Sequence, residues 1–167
     1  NTSLNLYIGD TIMKNLVNPM DLSNKQIMVT GASSGIGRAT SILISELGGK
    51  VFLVGRNMER LEETRNQMTG EGHVAIPFDL SNFNVTEEWF QAITSSHGPF
   101  DGLVHSAGIR STLPLRTIRE ADYSHIMDIN VKAAVALAKS LCKKGSYREG
   151  SSIVMLSSIM GIVGQTA

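Results

Sequence analysis

The chain has 167 residues, 42% of them hydrophobic, and 15 basic residues balance 15 acidic ones for a formal net charge of zero. That allows one ordinary buried core, and with no basic run interleaved with aromatics a nucleic-acid partner is not expected. The single cysteine, Cys142, excludes an internal disulfide, and His73, His97, His105 and His125 lack metal-ligand spacing, so no metal site is expected.

In chain order, Lys25–Thr30 reads as a β-strand and Ile36–Leu47 as a helix stopped by Gly48-Gly49. Lys50–Val54 is a short apolar strand. Asn57 is a good N-cap for a helix running to about Met68, with Gly70 and Gly72 beyond it. His73–Phe78 is the next strand, closed by Asp79. Asn84 with Glu87 fits a capping box for a helix to about Ser95. His97-Gly-Pro makes a turn, Gly102–His105 a strand, and Ile109–Arg116 a loop. Thr117 with Glu120 offers a second capping box, opening a helix to about Lys143. Gly145–Gly150 reads as a loop and Ser152–Leu156 as a final strand.

Short apolar strands alternating with helices predict an α/β fold, a Rossmann-like doubly wound parallel sheet of five strands in the order 3-2-1-4-5. The first and fourth strands are then neighbours at the switch point, where ligands bind beyond the carboxyl ends of the strands. Residues 22–167 read as one such domain, incomplete at its C-terminal end, after a lead-in of residues 1–21. Met13 is a candidate natural start, with Asn1–Ile12 an upstream extension. No apolar stretch is long enough to span a bilayer and no signal-peptide pattern is visible, so a cytoplasmic protein without membrane contact is expected. The sequon matches at Asn1 and Asn84 are read as chance.

The most informative segment is Thr30-Gly-Ala-Ser-Ser-Gly-Ile-Gly37, between the first strand and the first helix. Gly31, Gly35 and Gly37 permit a tight turn, close approach of backbone N–H groups to a phosphate, and tight packing of helix on strand. The helix start offers unpaired N–H groups and a positive dipole end to a pyrophosphate. Asp79-Leu80, His105-Ser106-Ala107-Gly108, Asn130 and Ser157-Ser158 follow, all but Asn130 just past a strand end.

Together these motifs resemble the short-chain dehydrogenase/reductase family from about Leu22 onward, nearest to its 3-oxoacyl-carrier-protein reductase and carbonyl-reductase group. The resemblance implies a cofactor held by Gly31, Ser33, Ser34, Gly35, Ile36 and Gly37, with Asp79 and the Leu80 backbone on the adenine. Ser106, Ala107 and Gly108 would lie along the cofactor, although this chain has His105-Ser106 where the family usually has Asn-Asn. A strand-end His105 bonded within the sheet is favoured over a catalytic base. NADP(H) is the expected cofactor, because the second strand ends in Gly55-Arg56 with no acid. The Arg56 guanidinium can fork onto a 2′-phosphate, and Ser33 adds a weaker contact.

Asn130, in the segment Asp128-Ile-Asn-Val131, is implied as a catalytic residue that shapes the active site and helps hold a relay water. A structural bond to neighbouring backbone is the other role open to it. Its helix carries an apolar face through Tyr123, Ile126, Met127, Ala133, Ala134, Leu137 and Leu141. Ser158, rather than Ser157, matches the family serine that donates to a substrate carbonyl oxygen as hydride arrives. The family's Tyr-x-x-x-Lys proton donor is not reached by Ala167, and Tyr7, Tyr123 and Tyr147 cannot replace it. The parent is expected to act on a small-molecule or carrier-bound carbonyl substrate as a homo-oligomer, a tetramer pairing the helix of Ala133, Ala134, Ala136 and Ala138. A non-catalytic NADP(H)-binding or sensing protein stays open as the alternative. An epimerase or dehydratase fits less well, since the glycine spacing differs from Gly-x-x-Gly-x-x-Gly.

Overall fold

The computed structural model describes residues 18–159 and 163; most of the expected lead-in, Met13 included, lies outside these, as do Met160 and Gly161. A five-stranded parallel sheet in the order β3-β2-β1-β4-β5 is built from β1 (Gln26–Thr30), β2 (Lys50–Gly55), β3 (Val74–Pro77), β4 (Phe100–His105) and β5 (Tyr147–Met155). All five residues of β1 are buried, because a central parallel strand is covered on both faces.

One face packs Ile27, Val29, Val51 and Leu53 against Ile44 of α1 (Gly35–Glu46) and Leu61 of α2 (Met58–Arg65). The other packs Met28, Phe52 and Leu103 against Phe90 and Ile93 of α3 (Phe83–His97). Leu137 and Leu141 of α5 (Ala133–Leu141) complete that layer. The alternation along each strand thus feeds two cores, the arrangement expected of a doubly wound sheet.

Helix starts depart from expectation. Asn57 caps α2 as expected, its side chain accepting from the Arg60 N–H at 2.9 Å. For α3 the cap is Asn82, which accepts from the Asn84 N–H at 3.2 Å, not Asn84 itself. Glu87 does not reach back to a cap, because Lys139 (2.8 Å) and Lys143 claim its carboxylate. Thr117 caps nothing: it closes a 3₁₀ turn (Leu115–Thr117), its N–H and hydroxyl both donating to the Pro114 carbonyl. The following helix, α4 (Glu120–Met127), starts after Arg119, whose N–H donates to the Asp122 carboxylate at 3.1 Å.

The long helix expected to Lys143 is interrupted by a π-helical turn, Asp128–Lys132, where the Ala133 N–H donates to the Asp128 carbonyl five residues back. One extra residue rotates the helix beyond it by about 100°. The apolar face therefore does not continue through Tyr123, which is 58% exposed. Ala133, Ala134 and Ala136 are buried in this chain's own core, while Val131 and Val135 are exposed. β5 begins earlier than expected but is irregular at first: Tyr147 pairs with Phe100, and regular pairing resumes at Ser152 with Gly102. At that end the Asp101 carboxylate accepts from the Gln26 N–H at 2.8 Å and pairs with Lys25 (3.3 Å) and Arg148 (2.5 Å), joining β1, β4 and β5.

Candidate functional site

At the carboxyl end of the sheet a cleft of about 370 Å³ opens between the β1–α1 loop and the ends of β2, β3 and β4. Gly31 (φ +68°) and Gly35 (φ +53°) occupy left-handed backbone that favours glycine. Gly37 serves by size: a Cβ there would stand 2.3 Å from the Gly31 carbonyl oxygen and 2.5 Å from Ser106 Oγ. A Cβ on Gly35 would meet nothing within 4 Å. The N-cap Ser34 makes no side-chain capping bond, and the first turn of α1 has no acidic residue. That helix start, with Ser33 and Ile36 beside it on the cleft wall, is left for an anion.

The end of β4 forms the opposite wall. Ser106 Oγ donates to the Thr30 carbonyl at 2.6 Å, and the Ala107 N–H donates to Thr30 Oγ1 at 3.3 Å. A Cβ on Gly31 would lie 2.8 Å from Ala107 N, so the two strand ends are packed backbone to backbone. Ser106, Ala107 and Gly108 all line the cleft. His105 does not: it is 2% exposed, its Nδ1 lies 2.9 Å from Thr30 Oγ1, and Nε2 has no partner among the described residues. Burial pushes its pKa below the usual 6.5, so it is a neutral member of the sheet at physiological pH.

Gly55 and Arg56 at the end of β2, with Phe78, Asp79 and Leu80 at the end of β3, close the cleft. Asp79 is held below the ordinary carboxylate range, first by the Ser81 N–H donating to Oδ1 at 3.0 Å and less by the nearby Arg56 charge. It therefore combines the turn-capping role with a place on the wall. All twelve residues expected around a cofactor line this one cleft.

The two expected catalytic residues lie beside it. Asn130, within the π turn, accepts from the Ile109 N–H and donates to the Ile109 carbonyl, both at 2.8 Å. Ile109 and Ile129 line the cleft, and Asn130 itself does not. Ser158 is exposed, past the end of β5, where the Leu156 N–H donates to the His105 carbonyl at 3.0 Å. It is at the cleft end of the sheet but outside the lining.

A family model described as short chain dehydrogenase matches residues 25–167. The chain belongs to the short-chain dehydrogenase family. Among relatives, it is 36% identical over 146 residues to the 3-oxoacyl-(acyl-carrier-protein) reductase FabG of Rickettsia prowazekii, covering 87% of this chain and 58% of that protein. It is 31% identical over 146 residues to an uncharacterized oxidoreductase of Listeria innocua, covering 86% and 58%. Among solved structures, an Escherichia coli CFT073 protein described as a short chain dehydrogenase and complexed with NADPH superposes with TM-score 0.79 at 28% identity, over 89% of this chain and 65% of that one. This short-chain dehydrogenase chain spans about three fifths of the length of the curated relatives it matches.

Members of the short-chain dehydrogenase family bind nicotinamide cofactors, and the cleft fits one. It has an uncapped helix start for a pyrophosphate, open space over Gly35, and a lining with two arginines and one carboxylate. Sequence reading missed Arg60, Phe78, Ile109 and Ile129 as cleft residues. Arg60 alone had a usable signal, standing in the first turn after the Asn57 cap and beside Arg56.

Proposed function

We propose that the complete protein catalyses reversible hydride transfer between NADP(H) and a carbonyl or alcohol, as an enzyme of the 3-oxoacyl-carrier-protein reductase or carbonyl-reductase type. The observation that carries this reading is one cleft with an uncapped α1 start on one wall and Arg56 on another. NADP(H) supplies the hydride when bound. The α1 start and the glycine loop hold the pyrophosphate, and Arg56 holds the 2′-phosphate by charge-assisted hydrogen bonds. Asp79, ionised at neutral pH, accepts from the adenine amine. Asn130 fixes the Ile109 backbone at the cleft edge and so shapes the substrate end. Ser158 donates to the carbonyl oxygen as charge develops there.

The reading extends to a homo-oligomer using the exposed Tyr123, Val131 and Val135 side of the long helix, and to residence in the cytoplasm, which the lone cysteine favours. The described residues contain no helix long and apolar enough to cross a membrane and no cluster of residues suited to a metal. The test is fluorescence titration of the complete protein with NADPH and NADH, then NADPH oxidation with a panel of ketones and 3-oxoacyl thioesters. Tighter NADPH binding with turnover supports the reading. Equal affinity for the two cofactors would remove the NADP(H) assignment, and binding without turnover would favour a sensing protein.

A further inference from the structure

Two cations line the cleft, Arg56 and Arg60, and among the described residues neither guanidinium has a hydrogen bond or ion pair. Three exposed or half-exposed arginines elsewhere are tied down, Arg65 to Glu62, Arg119 to Asp122 and Arg148 to Asp101. Arg110 and Arg116 are exposed in the connection between β4 and α4, without such partners among the described residues. The partners that helix geometry would give Arg60 are Glu63 and Thr64, three and four residues on. Arg38 of α1 takes both. Its Nε donates to Thr64 Oγ1 at 3.0 Å, and its NH2 nitrogen donates to Glu63 Oε2 at 3.2 Å and to the Ser33 carbonyl at 2.8 Å. Thr64 Oγ1 in turn donates to the buried Ala32 carbonyl at 2.9 Å. Arg38 thus fastens α2 to the glycine loop and leaves Arg60 no partner on its own helix.

Arg60 also stands in the first turn of α2, where a cation opposes the helix dipole. It shares the cleft with Arg56, which lies near the Asp79 charge but forms no ion pair with it, and the two like charges repel. A bound dianion relieves both penalties. Pyrophosphate belongs at the α1 start, across the glycine loop, so the dianion on this lip is a separate phosphate. We infer that Arg60 is a second cofactor-specificity residue, closing with Arg56 on the 2′-phosphate while Arg38 holds it to that task. The inference rests on the NADP(H) reading above.

The test measures binding of NADPH, NADH, 2′,5′-ADP and 5′-AMP to the complete wild-type protein and its R56A, R60A and R60K variants by calorimetry. Arg60 is exposed and its removal relieves the helix dipole, so the thermal midpoint of the unliganded protein should not fall. R60A is expected to weaken NADPH and 2′,5′-ADP about 10-fold, the low end for an exposed charge-assisted contact, and to leave NADH and 5′-AMP within about twofold. R60K should fall between, and R60A should flatten the salt dependence of NADPH binding. Equal loss for NADPH and NADH would assign Arg60 to the pyrophosphate or the adenine and overturn the inference. If R56A lowers the NADPH preference and R60A leaves it unchanged, the inference fails while the NADP(H) reading stands. If the wild type does not prefer NADPH, both fall together.

Discussion

Asn130 grips Ile109 by both ends of its carboxamide, accepting from the N–H and donating to the carbonyl at 2.8 Å each. No other residue type of that length presents both an acceptor and a donor to the backbone of one residue. Asn130→Leu should cost about 2 kcal/mol, two hydrogen bonds at about 1 kcal/mol each. Asn130→Asp should be no better, because a carboxylate has no proton to offer the Ile109 carbonyl. Urea unfolding of both variants checks this, and an unchanged midpoint would show that the clamp contributes nothing.

Gly37 and Gly35 should fail differently as alanines. At Gly37 the new Cβ collides with backbone, 2.3 Å from the Gly31 oxygen, so Gly37→Ala should lower stability and abolish cofactor binding together. At Gly35 the Cβ meets only open cleft, and the left-handed backbone costs about 1–2 kcal/mol. Gly35→Ala should therefore fold yet bind cofactor poorly. Thermal melts paired with titrations separate the two outcomes.

Arg56→Ala should weaken NADPH about 10- to 150-fold and barely change NADH, the range for one lost charge-assisted hydrogen bond. Fluorescence titration of both cofactors measures the ratio. A parallel loss for the two would place Arg56 on some other part of the cofactor.

Ser158→Ala in the complete protein should lower kcat about 10²- to 10³-fold with cofactor affinity unchanged, as for other oxyanion donors. Ser157→Ala is the control and should stay near wild type. Steady-state kinetics of the pair decide between the two hydroxyls.

Stability should fall in two separate acid limbs. Burial lowers the His105 pKa from 6.5, so the unfolded chain takes the proton first, and stability drops as pH falls below about 6.5. Glu87, bonded to Lys139 and Lys143, and Asp122, bonded to Arg119, are each lowered to about 2 from 4.5 and 3.8. Their stabilisation is intact above those ordinary values and disappears as pH falls toward 2. Denaturant midpoints across pH should show both limbs, and His105→Asn should erase only the upper one.

The central strands were legible because β1 and β2 are buried on both faces and so are written as apolar runs, Val51-Phe-Leu-Val54 being the clearest. The first half of β5, by contrast, is polar and exposed and reads as a loop. The cleft was legible because Gly31, Gly35 and Gly37 have a backbone or packing reason to be glycine. Helix starts were not: Asn82 and Asn84 are equally good caps in isolation, and the choice depends on lysines more than fifty residues away that claim Glu87. The π turn has no local signature, since an added residue there is fixed by packing on both sides. Arg60 carries a positional signal at the start of α2, but its lack of a helix partner shows only once Arg38 is seen to hold its neighbours.

Asp101 gathers Lys25, Gln26 and Arg148 at the edge of the sheet farthest from the cleft. A strand works as a ruler with a mark at every residue, and sliding it by one mark turns each side chain to the opposite face. Asp101 grips β5 at Arg148, ahead of its irregular stretch, and the regular marks begin only beyond that stretch, at Ser152 opposite Gly102. The irregular stretch therefore lets the carboxylate anchor the strand without dictating the count, which is set where Leu103, Val104 and His105 meet Ile153, Val154 and Met155.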